Sequence, residues 1–385
     1  MRCALQASLE RRAGEAAVRA AEGRVQAAEP WLPANPALEV TAARRSLGGE
    51  SVLNWSASLG VELELAGQRG ARREGAQAER QAQQSALSAS ERATAAEALR
   101  WYFELLSARE ASRVLGRLEA ASTQAFTAAQ AAAERGAAAG IEAEVLDATR
   151  VAVVRRKLDA TRGEAIALSS LANLVGASSG AALEVTGSLE PLAAAARVRG
   201  QGALPDSAEV VALAAERRAA LLRASVLRRS RVPNPTLSVF VQRDGFAEDV
   251  VGVGLALPLP LPEPLGRMNA GAIAESEALA ERAAILAERG RRAARTELAR
   301  ALSEYEAARA QILVFDGPRT ARAEVTLANL ATETQGGRIP IRDVLVLQQP
   351  LLELLLGAID AKKALCLASI DVVRAAGLPL EGSER

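Results

Sequence analysis

The segment Asn35-Pro36-Ala37-Leu38-Glu39-Val40 returns, 199 positions later, as Asn234-Pro235-Thr236-Leu237-Ser238-Val239. The same offset carries Gly67 to Gly266, Val145 to Val344 and Leu146 to Leu345. Landmarks held in register over about 110 residues mark a tandem duplication, and a duplication constrains the fold more than any single motif does. Whatever one half builds, the other half is expected to build again.

Each half reads the same way. From 10 to 29 the chain is helical in character, with Ala16, Ala17, Val18, Ala20, Ala21 and Val25 forming a weakly apolar side. Pro30, Pro33 and Pro36 end it, because proline lacks the N–H donor and pushes the residue before it towards extended geometry. Leu38 and Val40 then alternate with polar residues. After a polar link from 44 to 50, the alternation resumes at Leu53, Trp55, Ala57, Leu59, Val61, Leu63 and Leu65. Period-two alternation around a glycine-containing link predicts a β-hairpin, placed over 35–66.

A proline-free run from 67 to 135 predicts one long helix, about 100 Å if continuous. After the break at Arg135, Gly136, Gly140 and Ile141, a second helix is expected over 142–176, which completes a first repeat over 1–176. Residues 177–204 read as an irregular connector with extended pieces at 183–185 and near Leu189. The second repeat, 205–378, has a helix, a hairpin over 234–260 with a polar link at 243–249, and a long helix over 266–334. A break at Gly336, Gly337, Arg338, Ile339 and Pro340 follows, then a helix over 342–376; residues 379–385 form a tail.

Composition removes several function classes. Lys and Arg number 47 against 46 Asp and Glu, so there is no basic surplus of the kind that binds nucleic acid. The chain has no histidine, which takes away the commonest metal ligand and general base. A nucleophile–base pair would have to use Lys157, Lys362 or Lys363, all on helical stretches, so no catalytic, cofactor-binding or metal site is expected and the chain does not read as an enzyme. Cys3 and Cys366 lack metal-ligand spacing. Cys366 lies in an apolar helical run and reads as a small core residue. Cys3 is not set behind an apolar run of signal type, and no signal peptide is visible from Met1 onward. No stretch is long and apolar enough for a membrane helix.

Two hairpins with one fully apolar face need other strands. About ten residues of alternation, apolar outside and polar inside, is the signature of strands in a membrane barrel. Leu53 to Leu65 set against Asn54, Ser56, Ser58, Glu62 and Glu64 fits it, as does Val251 to Leu259, with Trp55, Phe240 and Phe246 as interface aromatics. The competing reading is a β-sandwich fragment packed on a soluble helical body.

The ordered set of motifs resembles the TolC-like outer-membrane efflux proteins, in the heavy-metal-efflux (CzcC/CusC-like) branch. The resemblance rests on Pro33-Ala34-Asn35-Pro36-Ala37-Leu38, Pro233-Asn234-Pro235-Thr236-Leu237, the strand-to-helix passage Leu63-Glu64-Leu65-Ala66-Gly67-Gln68-Arg69, and its counterpart from Leu257-Pro258-Leu259-Pro260 to Gly266-Arg267. It runs from about residue 10 to 378. What it implies is a mainly α fold with a small β part: tandem-duplicated long helical hairpins forming a trimeric α-barrel, and two β-hairpins per chain contributing to a shared twelve-stranded outer-membrane barrel. The implied function is a passive exit duct in the bacterial outer membrane, extending into the periplasm, with a periplasmic adaptor and an inner-membrane pump as partners. On this resemblance Asn35, Pro36, Gly67, Asn234, Pro235 and Gly266 are hinges between helix and strand. The two breaks are the adaptor-docking tips, and Glu134, Glu144, Glu333 and Asp343 are gate charges that a three-fold axis would turn into rings. A soluble coiled-coil scaffold, and the outer-membrane component of a type I protein secretion system, are the alternatives.

Overall fold

The computed structural model describes residues 2–47, 50–135, 140–177, 183–198, 206–245, 248–261, 268–315, 317–335 and 341–380. The elements in chain order are α1 (Arg2–Ala7), α2 (Leu9–Ala28), β1 (Ala37–Leu47), β2 (Glu50–Glu62), α3 (Gln68–Glu134), α4 (Gly140–Leu174), α5 (Ala193–Val198), α6 (Ala208–Arg229), β3 (Thr236–Asp244), β4 (Glu248–Ala256), α7 (Ala270–Val314), α8 (Gly317–Gln335) and α9 (Ile341–Ala375). The repeat is visible in the element starts: α6 begins 199 positions after α2, and β3 begins 199 positions after β1.

The chain divides into two units. One comprises Met1–Arg11, Ser90–Ser207 and Arg291–Arg385 and is helical. Its main core gathers Phe103 of α3, Tyr305 of α7 and Leu365, Cys366, Ile370, Val372 and Val373 of α9, with Ala194, Ala195 and Val198 of α5. Long helices approach closely here because alanine supplies many contact positions, among them Ala95, Ala96, Ala301, Ala308 and Ala368. A second cluster joins Val114, Leu115 and Leu118 of α3 to Val153 of α4 and to Leu352, Leu355 and Ile359 of α9. Ser8 starts α2 as its N-cap, its hydroxyl accepting the Arg11 N–H at 3.1 Å, which separates α1 from α2.

The expected single helix over 266–334 forms as two helices, and Pro318 explains the division. Lacking an N–H, it leaves the carbonyl of Val314, four residues back, without its helical donor. That oxygen instead accepts from the Arg319 guanidinium at 2.9 Å, and α7 ends at Val314. The equivalent position of the first repeat is Glu119, inside the unbroken α3. Pro350 lies within α9, which continues through it. The connector differs from the sequence expectation as well. Its residues 183–192 are irregular, and Ala193–Val198 forms α5, since an alanine run favours helix and three of its side chains are buried.

The second unit comprises Arg12–Ala89 and Ala208–Gly290. It holds the only sheet among the described residues, antiparallel throughout, in the order β1-β2-β3-β4.

Candidate functional site

The register of this sheet fixes what each face carries. One face has the rows Val40–Ala57–Val241–Val251 and Leu38–Leu59–Val239–Val253, followed by Val61–Leu237–Leu255. The opposite face has Thr41–Ser56–Gln242–Val250 and Ala37–Gly60–Ser238–Gly254, with Glu39–Ser58–Phe240–Gly252 between them. In a water-soluble sheet the apolar face is covered. Here it is open: Leu38 is 71% exposed, Val251 80%, Val253 76% and Leu255 72%. On the polar face Ser56, Ser58, Ser238, Gly252 and Gly254 are only partly exposed. The usual burial pattern is inverted across the sheet.

The apolar band has polar borders. Towards the hairpin loops it ends in the row Ala42–Trp55–Arg243–Asp249, where Arg243 pairs with Asp249 at 3.8 Å. The strands also run further into the expected links than their polarity indicates. Arg44 and Arg45 lie opposite Leu53 and Val52, and Arg243 and Asp249 are paired within β3 and β4. Charge does not end a strand whose backbone groups find partners, and the side chains find partners too. Arg44 donates to the Ser51 hydroxyl at 2.8 Å, and Arg45 pairs with Asp244 at 3.4 Å. Of the expected interface aromatics, Trp55 lies on the apolar face. Phe240 does not: its even position puts it on the polar face, where its ring lies over Gly252 so closely that a Cβ there would meet it at 2.6 Å. Phe246 lies outside the described residues.

At the opposite border the strands meet helices. Gly67 takes φ +69°, a conformation glycine adopts without strain, and its carbonyl accepts from Arg229 at 3.1 Å. Gln68 fastens the joint: its amide donates to Asn234 Oδ1 at 2.9 Å and its oxygen accepts the Ala66 N–H at 2.7 Å. Asn234 in turn donates to Glu62 at 2.8 Å. Arg72 pairs with Glu64 and reaches the Pro30 carbonyl at 3.3 Å. The two Asn-Pro hinges differ, since Asn35 and Pro36 are exposed whereas Asn234 is partly covered and Pro235 buried. Gly266 lies outside the described residues. Sequence reasoning missed Trp31, 79% exposed just before β1, with the Arg69 guanidinium 3.8 Å from its ring centroid. A tryptophan between Pro30 and Pro33 was the available signal.

The candidate tip residues belong to the helical unit. Glu134 and Arg135 are exposed at the end of α3, where Arg135 Nε donates to the Ala131 carbonyl at 2.9 Å. Gly140 opens α4, with Ile141 69% exposed and Glu144 exposed one turn on. Asp343 is partly buried in the first turn of α9, and Glu333 lies in α8. Gly136, Gly336, Gly337, Arg338, Ile339 and Pro340 lie outside the described residues.

Elsewhere in the helical unit, burial, ahead of the Glu190 carboxylate, pushes the Cys366 thiol up to about 12. A hydrogen bond from Arg300 at 2.7 Å holds the Glu297 carboxyl below its ordinary value. Among the described residues no group of three Cys, Asp or Glu side chains is placed to hold a metal ion. No described helix is long and apolar enough to cross a membrane.

No protein-family model matches the chain, and no curated protein matches it. Solved structures do. The Vibrio cholerae outer membrane protein VceC matches at TM-score 0.74 and 18% identity, over 99% of this chain and 95% of that one. CusC, described in terms of folding and transmembrane channel formation, matches at 0.74 and 15%, over 98% and 91%. The open state of the Neisseria gonorrhoeae MtrE outer membrane channel matches at 0.74 and 18%, over 98% and 88%. Across nearly its whole length, the chain has the fold of these outer-membrane channels.

Proposed function

We propose that this protein is an outer-membrane exit duct of the TolC-like kind, a homotrimer whose three four-stranded sheets close into one twelve-stranded barrel and whose long helices form the periplasmic tunnel. The observation that carries the reading is the inverted sheet. An exposed apolar face between polar borders suits lipid, and the polar face suits a water-filled lumen. Strands of 9 to 13 residues are long enough for a tilted crossing. Both edges, β1 and β4, end the described sheet, and in lipid an open edge needs a partner strand. Copies of the same chain supply complementary edges, so closure requires no other protein.

On this reading the duct supplies no energy. An inner-membrane pump drives transport, and a periplasmic adaptor docks on the tips around Arg135, Gly136, Gly140 and Ile141 and around 336–340. Glu134, Glu144, Glu333 and Asp343 stand near the mouth as gate charges. Placement in the heavy-metal-efflux branch rests on the passage Leu63 to Arg69 and is part of the proposal.

The test is expression of the full chain with an export signal, followed by membrane separation and electrophoresis with and without heating. A detergent-extracted, heat-resistant trimer in the outer-membrane fraction is expected. A monomer that stays in plain buffer after export would overturn the reading.

A further inference from the structure

The polar face of the sheet is more specific than a wet lining requires. Other charged side chains of this face stand at the ends of the strands: Glu62 accepts from Asn234 at 2.8 Å, Arg45 pairs with Asp244 at 3.4 Å, and Glu248 opens β4. Glu39 is different. It lies in the middle row, Glu39–Ser58–Phe240–Gly252, level with Leu38 and Val40 of the apolar band, and it is exposed. A carboxylate at that height is tolerated where it faces water, and such intramembrane ionisable groups mark the paths of ions and solutes. The same row holds Phe240, the one aromatic among the described residues of this face. Its ring is laid over Gly252, a position where any larger residue would have to displace it. Two strand spacings, about 10 Å, separate Glu39 from Phe240 across the row.

We infer that Glu39 and Phe240 form a cation-selecting belt at mid-height of the lumen, favouring small inorganic and organic ammonium cations over anions. Three copies present three carboxylates and three ring faces at one level. The carboxylates raise the local concentration of cations, and an aromatic face attracts a cation through its quadrupole. Serine and glycine on either side keep the row open. The inference rests on the duct reading above.

Purified full-length protein in planar bilayers tests it through the reversal potential under a potassium chloride gradient. Wild type selects potassium over chloride, and Glu39→Gln lowers the permeability ratio by about threefold or more, while Glu39→Asp retains it. Phe240→Ala leaves that ratio nearly unchanged but lowers tetramethylammonium permeability relative to potassium by about twofold. Should Glu39→Gln fail to insert, Ser58→Lys places a compensating charge in the same row and produces the same loss. Channels whose selectivity is indifferent to both Glu39→Gln and Ser58→Lys would overturn the belt and leave the duct standing. Wild-type protein that never conducts would overturn the duct, and the belt with it.

Discussion

The helical unit and the sheet place their apolar residues in opposite ways. In the helical unit Cys366, Ile370, Val372 and Val373 are fully buried, and charged pairs such as Arg291–Asp206 remain at the surface. In the sheet the aliphatic side chains are the exposed ones, and serines and glycines take the more covered positions. Both regions follow the same rule, that apolar surface avoids water. On the proposed reading what differs is the solvent each is built for, so that the pattern of exposure would report the environment of a region as much as its fold.

Substitutions that treat the two regions alike should therefore fail differently. The largest effect is expected from Ile370→Asp, which buries an unpaired charge in the helical core and should cost about 5 kcal/mol or more, read as loss of cooperative thermal unfolding by circular dichroism. A normal melt would mean that this core is open. Val253→Lys, on the exposed apolar face, should leave the helical melt intact and weaken membrane insertion by about 2–4 kcal/mol, measured as partition into lipid vesicles. Unchanged partition would remove lipid from the account of that face. On the polar face, Gly252→Ala should cost about 1–2 kcal/mol because Phe240 must move, and Gly252→Ala combined with Phe240→Ala should recover most of it.

The smallest effect is chemical. A maleimide at neutral pH should label exposed Cys3 and spare Cys366 until the protein unfolds. The sign of the accompanying pH dependence follows from burial. Between the ordinary thiol value and about 12 the unfolded chain has released the Cys366 proton and the folded one has kept it, so stability falls as pH rises through that window. Rapid labelling of both thiols in the folded protein would contradict the burial of α9.

Much of this was legible in the residues. The return of Asn35-Pro36 at Asn234-Pro235 locates equivalent elements, and odd-numbered alternation in β2 and β3 identifies the apolar face. Phe240 was misassigned because its hydrophobicity was weighed and its parity was not. The division of α7 from α8 was missed because one proline in an alanine-rich run looks tolerable; its effect depends on the carbonyl four residues back. Strand ends were placed too early at Arg44 and Arg243, since polarity stood in for backbone pairing, which the sequence does not display. The joint of Gln68, Asn234 and Glu62 brings residues together from distant parts of the chain, and no local pattern announces it.

If copies associate as proposed, the edges of the sheet bear on how they find one another. At its loop end β1 carries Arg44 and Arg45, one on each face, and β4 carries Glu248 and Asp249 at the same end, again one on each face. Two β1 edges meeting in parallel would set arginine against arginine, and two β4 edges in parallel would set acid against acid. Only β1 against β4 brings opposite signs together, and that pairing adds copies head to tail in a single rotational sense. Under the proposed trimer the edges would carry a rule of succession, discouraging dead-end pairs and leaving ring closure as the step that ends growth.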